Sequence, residues 1–130
     1  MLASAKGKYL KGTPYKVRKV IDLIRGERSD KALAILDNTN KGVVYCVRKV
    51  LKSAINNAQQ KEKEIKLEDI YINRIFASDG ARQKRFRARA MGRGAQILHR
   101  TTHLYVEVDR ISKLQVPSSK PQAPSPKTKS

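Results

Sequence analysis

Three stretches of the chain carry apolar residues at the three- and four-residue spacing of an α-helix, which predicts three helices with one buried face each. The first helix is predicted to start at Thr13 and Pro14, which offer a hydroxyl for the N-cap and a residue that needs no N–H, and to end at Gly26. Its inward-facing residues are Val17, Val20, Ile21 and Ile24.

A short second helix is predicted after Ser29 or Asp30, either of which suits an N-cap, and a longer third helix from about residue 41 to residue 60. The apolar faces consist of Leu33, Ile35 and Leu36 in the second helix, and of Val43, Val47, Val50, Leu51, Ala54 and Ala58 in the third. Cys46 falls within the apolar pattern of the third helix, so a small buried hydrophobe is favoured over a reactive thiol.

Two further segments have the composition and alternation of β-strands. Residues 70–77 are rich in Ile, Tyr and Phe. Residues 104–109 alternate, so that Leu104, Val106 and Val108 face one way and Tyr105, Glu107 and Asp109 the other. Residues 1–12 are either a basic edge strand or a loose arm, and periodicity does not decide between them. Helices and strands together predict a small α+β core.

A strongly basic stretch, residues 79–103, separates the two predicted strands. No Asp or Glu lies between Asp79 and Glu107, and the cations there are Arg82, Lys84, Arg85, Arg87, Arg89, Arg93 and Arg100. Such a block of like charge cannot form a core, because each ion would lose its water without gaining a counter-charge. On a strand, Arg85, Arg87 and Arg89 would share one face, and Phe86, Ala88 and Ala90 the other.

The glycine-rich residues 91–94 lie in the middle of this stretch and are the natural tip of a hairpin. If the flanking strands pair antiparallel, the basic stretch extends their hairpin beyond the sheet, with arms of about ten residues that project ~30 Å. The simpler alternative is a flexible basic loop. Arginine predominates, and a guanidinium group matches phosphate with two parallel hydrogen bonds.

Composition favours a polyanionic partner. The 130 residues contain 29 Lys and Arg against 11 Asp and Glu, a formal net charge of +18. Nucleic acid is the leading candidate and an anionic membrane surface the lesser one. The apolar runs are far shorter than the ~20 residues of a membrane span, and the absence of a signal-peptide pattern leads us to expect a cytosolic protein.

Further polar residues on the predicted surfaces are candidate contacts, although any single one is more often simply solvated. They are Lys6, Lys8 and Lys11 near the N-terminus, Lys16, Arg18, Lys19 and Arg25 on the outer faces of the first helix, and Asn57 near the end of the third. For Asn57, a capping or turn role is favoured over RNA contact.

Nothing in the sequence indicates catalysis. The acidic residues are scattered, no nucleophile lies beside a base, and residues 92–94 lack the Gly-Lys-Ser or Gly-Lys-Thr of a phosphate loop. His99 and His103 have helical metal-ligand spacing but lie in a strand-like pattern, which favours a polar or stacking role. The single cysteine excludes an internal disulfide and a multi-cysteine zinc site. We therefore expect no catalytic residue, metal or cofactor.

The last residues differ from the rest in composition. Residues 113–130 contain Pro117, Pro121, Pro124 and Pro126 among Ser and Lys. This composition is typical of a disordered basic tail, because it cannot bury enough apolar surface to offset the entropy of ordering. The expected organisation is one domain, residues 1–112, followed by the tail.

Several motifs resemble the L22p family of large-subunit ribosomal proteins. They are residues 16–26, the Ala-x-x-Ile-Leu run at 32–36, residues 52–58, the Arg-Ala-Met-Gly-Arg run at 89–93, and the Arg-Thr-Thr-His run at 100–103. The resemblance covers about residues 5–109. It implies an α+β fold in which three helices pack on a small three-stranded antiparallel sheet with a long protruding basic β-hairpin. Ala88 stands where the family often has proline.

The resemblance also implies a function. It implies a cytoplasmic ribosomal protein, monomeric within the ribosome, that binds several domains of the large-subunit rRNA, contacts neighbouring ribosomal proteins and helps assembly. To the basic residues named above it adds Thr101, Thr102 and His103 as rRNA-binding positions. It places the hairpin tip, residues 87–94, at the wall of the exit tunnel beside the nascent peptide; these are Arg87, Ala88, Arg89, Ala90, Met91, Gly92, Arg93 and Gly94.

Two other classes of function stay open at this point. An architectural DNA-binding protein can use basic β-ribbon arms, although such proteins usually dimerise and the sequence shows no spare apolar face. An RNA-modifying enzyme would need pocket chemistry that the sequence lacks. Co-sedimentation with large ribosomal subunits after a moderate salt wash separates a ribosomal protein from both.

Overall fold

Three α-helices and three β-strands form the structure of residues 1–111, the part of the chain that the computed structural model describes. In chain order they are β1 (Ala3–Lys11), α1 (Pro14–Ile21), α2 (Ser29–Asn38), α3 (Val44–Lys61), β2 (Ile70–Ala88) and β3 (Gly94–Arg110), with a short 3-10 helix at Leu67–Asp69 before β2. The predicted α+β fold is confirmed. Of the two alternatives for the N-terminal segment, a basic edge strand or a loose arm, the structure has the edge strand. The predicted tail at 113–130 lies outside the described residues.

The sheet is antiparallel, with the strand order β1-β3-β2. The helices cover one face of it, and the side chains on that face are buried: Ala3, Ala5, Ile75, Ala77, Leu104, Val106 and Val108. The alternation predicted for Leu104, Val106 and Val108 is therefore confirmed. The opposite, outer face of the sheet carries no helix in the described part of the chain.

Each helix contributes a stripe of buried residues to a single core. The stripes are Val17, Val20 and Ile21 of α1 with Ile24 just beyond it, Ala32 and Leu36 of α2, and Val47, Val50, Leu51, Ala54, Ile55 and Ala58 of α3. Burying one large aliphatic side chain stabilises a fold by roughly 1.5–3 kcal/mol. The helical periodicity therefore identified most of the core correctly.

The first helix starts where predicted, with Thr13 at the N-cap and Pro14 next, whereas the side-chain caps and the start of α2 differ from the predictions. The Thr13 side chain forms no capping hydrogen bond, and its carbonyl accepts from the N–H groups of Lys16 and Val17 instead. The N-cap of α2 is Arg28, also without a side-chain cap, while Ser29 is buried in the first turn. Arg28 is held in extended conformation by a bridge to Tyr71, so tertiary pairing rather than local capping sets where α2 begins.

Some apolar residues lie less deep in the core than their spacing predicted. Leu33 and Ile35 are only partly buried, and Ala32 takes the inner position beside Leu36. Val43 is also only partly buried, because it precedes the first turn of α3 instead of belonging to it. The buried face predicted for α2 from spacing alone was therefore slightly rotated from the observed one, and the buried face predicted for α3 began one turn too early.

Two further burial predictions need correction. Cys46 is half-buried rather than buried, because it lies at the margin of the stripe on α3. Asp109 is only 5 % exposed instead of facing solvent, since its carboxylate lies 2.6 Å from the N-terminal ammonium group of Met1. A contact between the two ends of the described chain thus determines the position of this acidic side chain.

Candidate nucleic-acid interface

The two long strands continue past the helices as a two-stranded arm. We define the arm as residues 82–100, in which β2 and β3 form seven consecutive pairs from Arg82–Arg100 to Ala88–Gly94. Seven pairs at roughly 3.3 Å per residue reach ~23 Å, less than the ~30 Å expected from the sequence, because residues 79–81 and 101–103 form the root. Every side chain from 82 to 94 is exposed, so the arm has no core of its own.

A tight turn closes the tip of the arm. The Arg89 N–H donates to the Arg93 carbonyl at 2.7 Å, and Met91 and Gly92 have φ angles of 58° and 66°. Two consecutive positive φ angles are typical of the type I′ turn, whose twist matches that of antiparallel strands. Met91 is 94 % exposed and forms the outermost point of the tip.

Gly94 contributes to the arm in a way other than turning. Its backbone lies beneath the Phe86 ring, and a Cβ built there would overlap that ring. An aromatic side chain that covers a cross-strand glycine shields its backbone and helps to fix the strand register.

Positive charge occupies both faces of the arm. The predicted separation of Arg85 and Arg87 from Phe86 and Ala88 follows the alternation of β2, but Arg82 and Lys84 share the face of Phe86. At the base of the arm, Arg82 lies directly opposite Arg100 in the register. Within residues 1–111, no cation of the arm forms an ion pair. A like-charged pair directly across two strands is destabilising unless an anion lies between its members.

Two β-bulges flank the root of the arm on opposite sides of β3. On one side Gly80 and Ala81 oppose Thr101, and on the other Lys8 and Tyr9 oppose His103. A bulge bends the strand and leaves backbone groups without a partner in the ladder. The bulges therefore lie where the helix-covered sheet becomes the free arm.

Thr101 and His103 of the Arg-Thr-Thr-His run bond to these two bulges, and Thr102 bonds to the residue that follows β1. The Thr101 hydroxyl donates to the Ala81 carbonyl at 2.7 Å, and the His103 Nδ1 accepts from the Tyr9 N–H at 3.1 Å. Thr102 is fully buried and donates to the Gly12 carbonyl at 2.9 Å. In this fold the three side chains position the root of the arm.

Three more of the sequence-predicted contact residues bond within the protein. Arg18 donates to the Ala77 carbonyl through Nε and Nη2, both at 3.3 Å. Arg25 pairs with Asp22 at 3.1 Å and Asn57 donates to the Ser4 carbonyl at 3.1 Å. Both arginines are nevertheless exposed, Arg18 on α1 and Arg25 in the turn after it, so their remaining N–H groups can still meet a partner.

A groove of about 1080 Å³ lies between the arm, the start of α1 and the α2–α3 connection. Five cations and no carboxylate line it: Lys11, Lys16, Lys19, Lys41 and Arg100. Tyr9 and Tyr15 are exposed beside them, and the Lys19 Nζ lies 4.5 Å from the centre of the Tyr15 ring. The structure thus brings Lys11, Lys16 and Lys19 together with the arm, whereas Lys6 and Lys8 lie on the outer sheet face.

The outer sheet face carries a cluster of aromatic residues that was not predicted from the sequence. Phe76 and Tyr105 are cross-strand neighbours with ring centres 5.0 Å apart. A hydrogen bond from the Tyr105 hydroxyl to Glu107 raises the pKa of Tyr105 above its ordinary value. Aromatic residues at outward positions of an alternating strand were the available signal, because such positions are usually polar.

Other kinds of site are not evident in residues 1–111. They contain no group of three or more His, Cys, Asp or Glu placed to hold a metal ion. His99 and His103 lie on β3, and the His103 ring meets the Tyr9 ring edge-on at 4.7 Å between centres. No helix among these residues is long and apolar enough to cross a membrane.

Comparison with known proteins agrees with this geometry. The family model for ribosomal protein L22p/L17e matches residues 5–109, the range over which the sequence motifs were recognised. Two relatives named large ribosomal subunit protein uL22 align over 108 residues, 83% of this chain and 95% of each relative. The protein of Oceanobacillus iheyensis is 45% identical and that of Halothermothrix orenii 43%.

Proposed function

Because the chain belongs to the ribosomal protein L22p/L17e family, we propose that it binds large-subunit rRNA, helps the large subunit to assemble, and lines the nascent-peptide exit tunnel with the tip of its arm. It is a structural ribosomal protein of the large subunit and not an enzyme, and its place is the ribosome in the cytoplasm. Its partners are large-subunit rRNA, neighbouring ribosomal proteins and the nascent peptide, and it acts as a monomer.

The facing pair of Arg82 and Arg100 carries the rRNA proposal. Two guanidinium groups opposite each other, with no carboxylate in reach, repel one another in the free protein. A phosphate group between them would replace this repulsion with charge-assisted hydrogen bonds. Arginine-rich arms without a counter-charge are therefore adapted to the RNA backbone.

The groove and the arm together supply the proposed rRNA contacts. The groove contributes Lys11, Lys16, Lys19 and Arg100, and the arm contributes Arg82, Lys84, Arg85, Arg87, Arg89 and Arg93. Because the groove lies at the base of the arm while Arg87, Arg89 and Arg93 lie near its tip, one chain can touch more than one rRNA segment. Thr101, Thr102, His103 and Asn57 support these contacts by holding the backbone in place.

Binding to a large-subunit rRNA transcript over a series of salt concentrations tests the proposal. Log affinity falls as log salt rises, and every phosphate that the protein no longer neutralises should make this negative slope shallower by roughly 0.7–0.9. The double variant Arg82→Gln/Arg100→Gln should therefore show a clearly smaller slope than the wild type. Lys31→Gln/Lys63→Gln is the matched control, because both lysines are exposed away from the groove and arm. Equal slopes for the two double variants would contradict the proposed contacts.

The tip proposal covers residues 87–94. Its support is the family together with the geometry, because the turn lies farthest from the core and presents Met91 to the surroundings. A nascent peptide would therefore meet a narrow, cationic surface. The alternative of an architectural DNA-binding protein has no support from the family, and absence from salt-washed large subunits would revive it.

Site-directed crosslinking tests the tip. In a Cys46→Ser background, Met91→Cys should crosslink to a stalled nascent peptide through a short thiol-reactive linker. Tyr45→Cys, exposed on α3, is the control and should give no such product. Equal labelling at the two positions would show that the tip does not lie in the tunnel.

A further inference from the structure

The outer sheet face has a regular arrangement of side chains that the arm and groove do not explain. Three cross-strand rows follow from the register: Ser4, Glu107 and Arg74; then Lys6, Tyr105 and Phe76; then the Lys8–Tyr9 bulge, His103 and Ser78. The helices pack on the other face of the sheet, so this surface is uncovered in the described part of the chain. Aromatic rings thus form its centre, with cations at its edges.

Phe76 is exposed and Tyr105 is half-buried, and each ring has a cation nearby. Phe76 is 42 % exposed, and the Arg74 guanidinium lies 5.5 Å from the centre of its ring. The Lys6 Nζ lies 5.0 Å from the centre of the Tyr105 ring. Both cations are on flexible side chains that can move from a ring to a phosphate oxygen nearby.

We propose that this outer face binds a single-stranded segment of RNA, with unpaired bases stacked on Phe76 and Tyr105 and phosphates held by Lys6, Lys8 and Arg74. The inference deepens the proposed rRNA binding and rests on it. It adds the outer face to the arm and the groove as a surface that binds RNA, and it names the chemical class of the ligand.

Charge and shape favour RNA over a protein segment. Three cations border the rings, and the carboxylate among the named rows, Glu107, accepts a hydrogen bond from Tyr105. An apolar protein partner would leave the three cations desolvated without a counter-charge. Flat rings on an open sheet can stack with unpaired bases, and the flanking cations can bind the phosphates between them. A duplex does not offer such bases, because its bases are paired and stacked inside the helix.

The test uses the full chain and a hexaribonucleotide that contains one 2-aminopurine. Fluorescence anisotropy reports binding, and quenching of the 2-aminopurine reports stacking. The same oligonucleotide annealed to its complement is the control for charge alone. The single strand should bind with quenching, whereas the duplex should bind without further quenching.

Variants then assign the stacking to this face. Phe76→Leu and Tyr105→Leu should each weaken binding of the single strand by roughly 5- to 150-fold and remove part of the quenching. Their matched control is Tyr45→Leu on α3, an exposed ring that also has a lysine, Lys49, nearby, and this variant should stay near the wild type. Lys6→Gln/Arg74→Gln should instead lower the salt dependence of binding.

Each result decides the question. Wild-type binding of the single strand without quenching, or equal losses from Tyr45→Leu, would overturn the proposal and leave a neighbouring protein as the occupant of this face. The duplex comparison needs no variant, so it stands even if a substitution unfolds the protein. Failure of the wild type to bind an rRNA transcript would refute the proposed function. The two failures can be told apart, because oligonucleotide binding and transcript binding are measured in separate experiments.

Discussion

Three polar side chains at the root of the arm bond to nearby backbone groups, two of them in the bulges. Thr101 and Thr102 donate to the carbonyls of Ala81 and Gly12, and His103 accepts from Tyr9. A buried carbonyl without a partner costs about 1–3 kcal/mol, whereas an exposed one can bond to water. Burial therefore decides which of these bonds matters for stability.

Thr102→Val should destabilise the free protein by about 1–3 kcal/mol, because it leaves the Gly12 carbonyl without its donor at a partly buried site. Thr101→Val is the control with the same change of shape, and it should cost less than about 1 kcal/mol because its bond is exposed. Urea unfolding of the two variants measures the difference. A larger effect at Thr101 would contradict the assigned roles.

Leu51→Ala should destabilise the protein by ~2–5 kcal/mol, since Leu51 is fully buried in the stripe of α3 and its truncation leaves a cavity. Lys52→Ala, on the exposed side of the same helix, should stay within about 0.5 kcal/mol. The free energies come from urea melts followed by circular dichroism. Similar losses at both positions would show that the buried face is assigned wrongly.

Single-residue predictions from sequence succeeded where periodicity carried the information. The spacing of Val17, Val20, Leu51 and Leu104 identified buried positions because helices and strands repeat regularly. It failed for Asp109, whose burial depends on the N-terminal ammonium group of Met1, which is distant in sequence. The predicted cap of α2 failed in the same way, because the bridge from Arg28 to Tyr71 overrode the local preference.

The arm is the element in which sequence and structure agree most closely. Alternation, the charge block and the glycines predicted a hairpin and its tip. The bulges could not be predicted, because they depend on which residues of two other strands face β3. The outer-face aromatics were missed as a site for a related reason: the alternation placed Tyr105 outward without showing that Phe76 lies beside it.

Shortening the arm should leave the core intact. Phe86 and Gln96 are paired, so replacing residues 87–95 with Asn-Gly closes the strands with a two-residue turn. The core lies outside the removed segment, and the unfolding midpoint should therefore change little. The variant should still join large subunits, but stalling of sensitive nascent peptides and the response to tunnel-binding antibiotics should change.

Two measurements check the shortened arm separately. A thermal melt tests folding, and a clear drop in midpoint would show that the tip supports the core. Ribosomes that carry the variant test the tunnel role, and unchanged stalling together with an unchanged drug response would count against it. A full-length Met91→Ala protein is the control, because it keeps the length of the arm.

At the scale of the whole molecule, net charge opposes folding of the free protein. A formal charge of +18 on 130 residues repels itself in the compact state, and salt screens that repulsion. Raising potassium chloride from about 20 to about 300 mM should therefore raise the unfolding temperature by roughly 2–6 °C.

Differential scanning calorimetry measures this salt response. Arg85→Gln/Arg87→Gln removes two arm charges and should show a smaller rise than the wild type. Lys31→Ala is a useful comparison, because the lysine lies 3.4 Å from Glu27 and salt screens that attraction as well. An unfolding temperature that falls with salt would mean that attractive ion pairs outweigh the repulsion.

The two opposed bulges have a mechanical consequence. The arm is a lever, and its pivot lies where Gly80–Ala81 and Lys8–Tyr9 flank β3. Over a length of ~23 Å, a rotation of about 10° at the pivot displaces the tip by about 4 Å. The direction of the arm, more than its length, therefore determines the position of the tip. Loss of the hydrogen bond at Thr102 or His103 would displace the tip, which lies far from the altered residue.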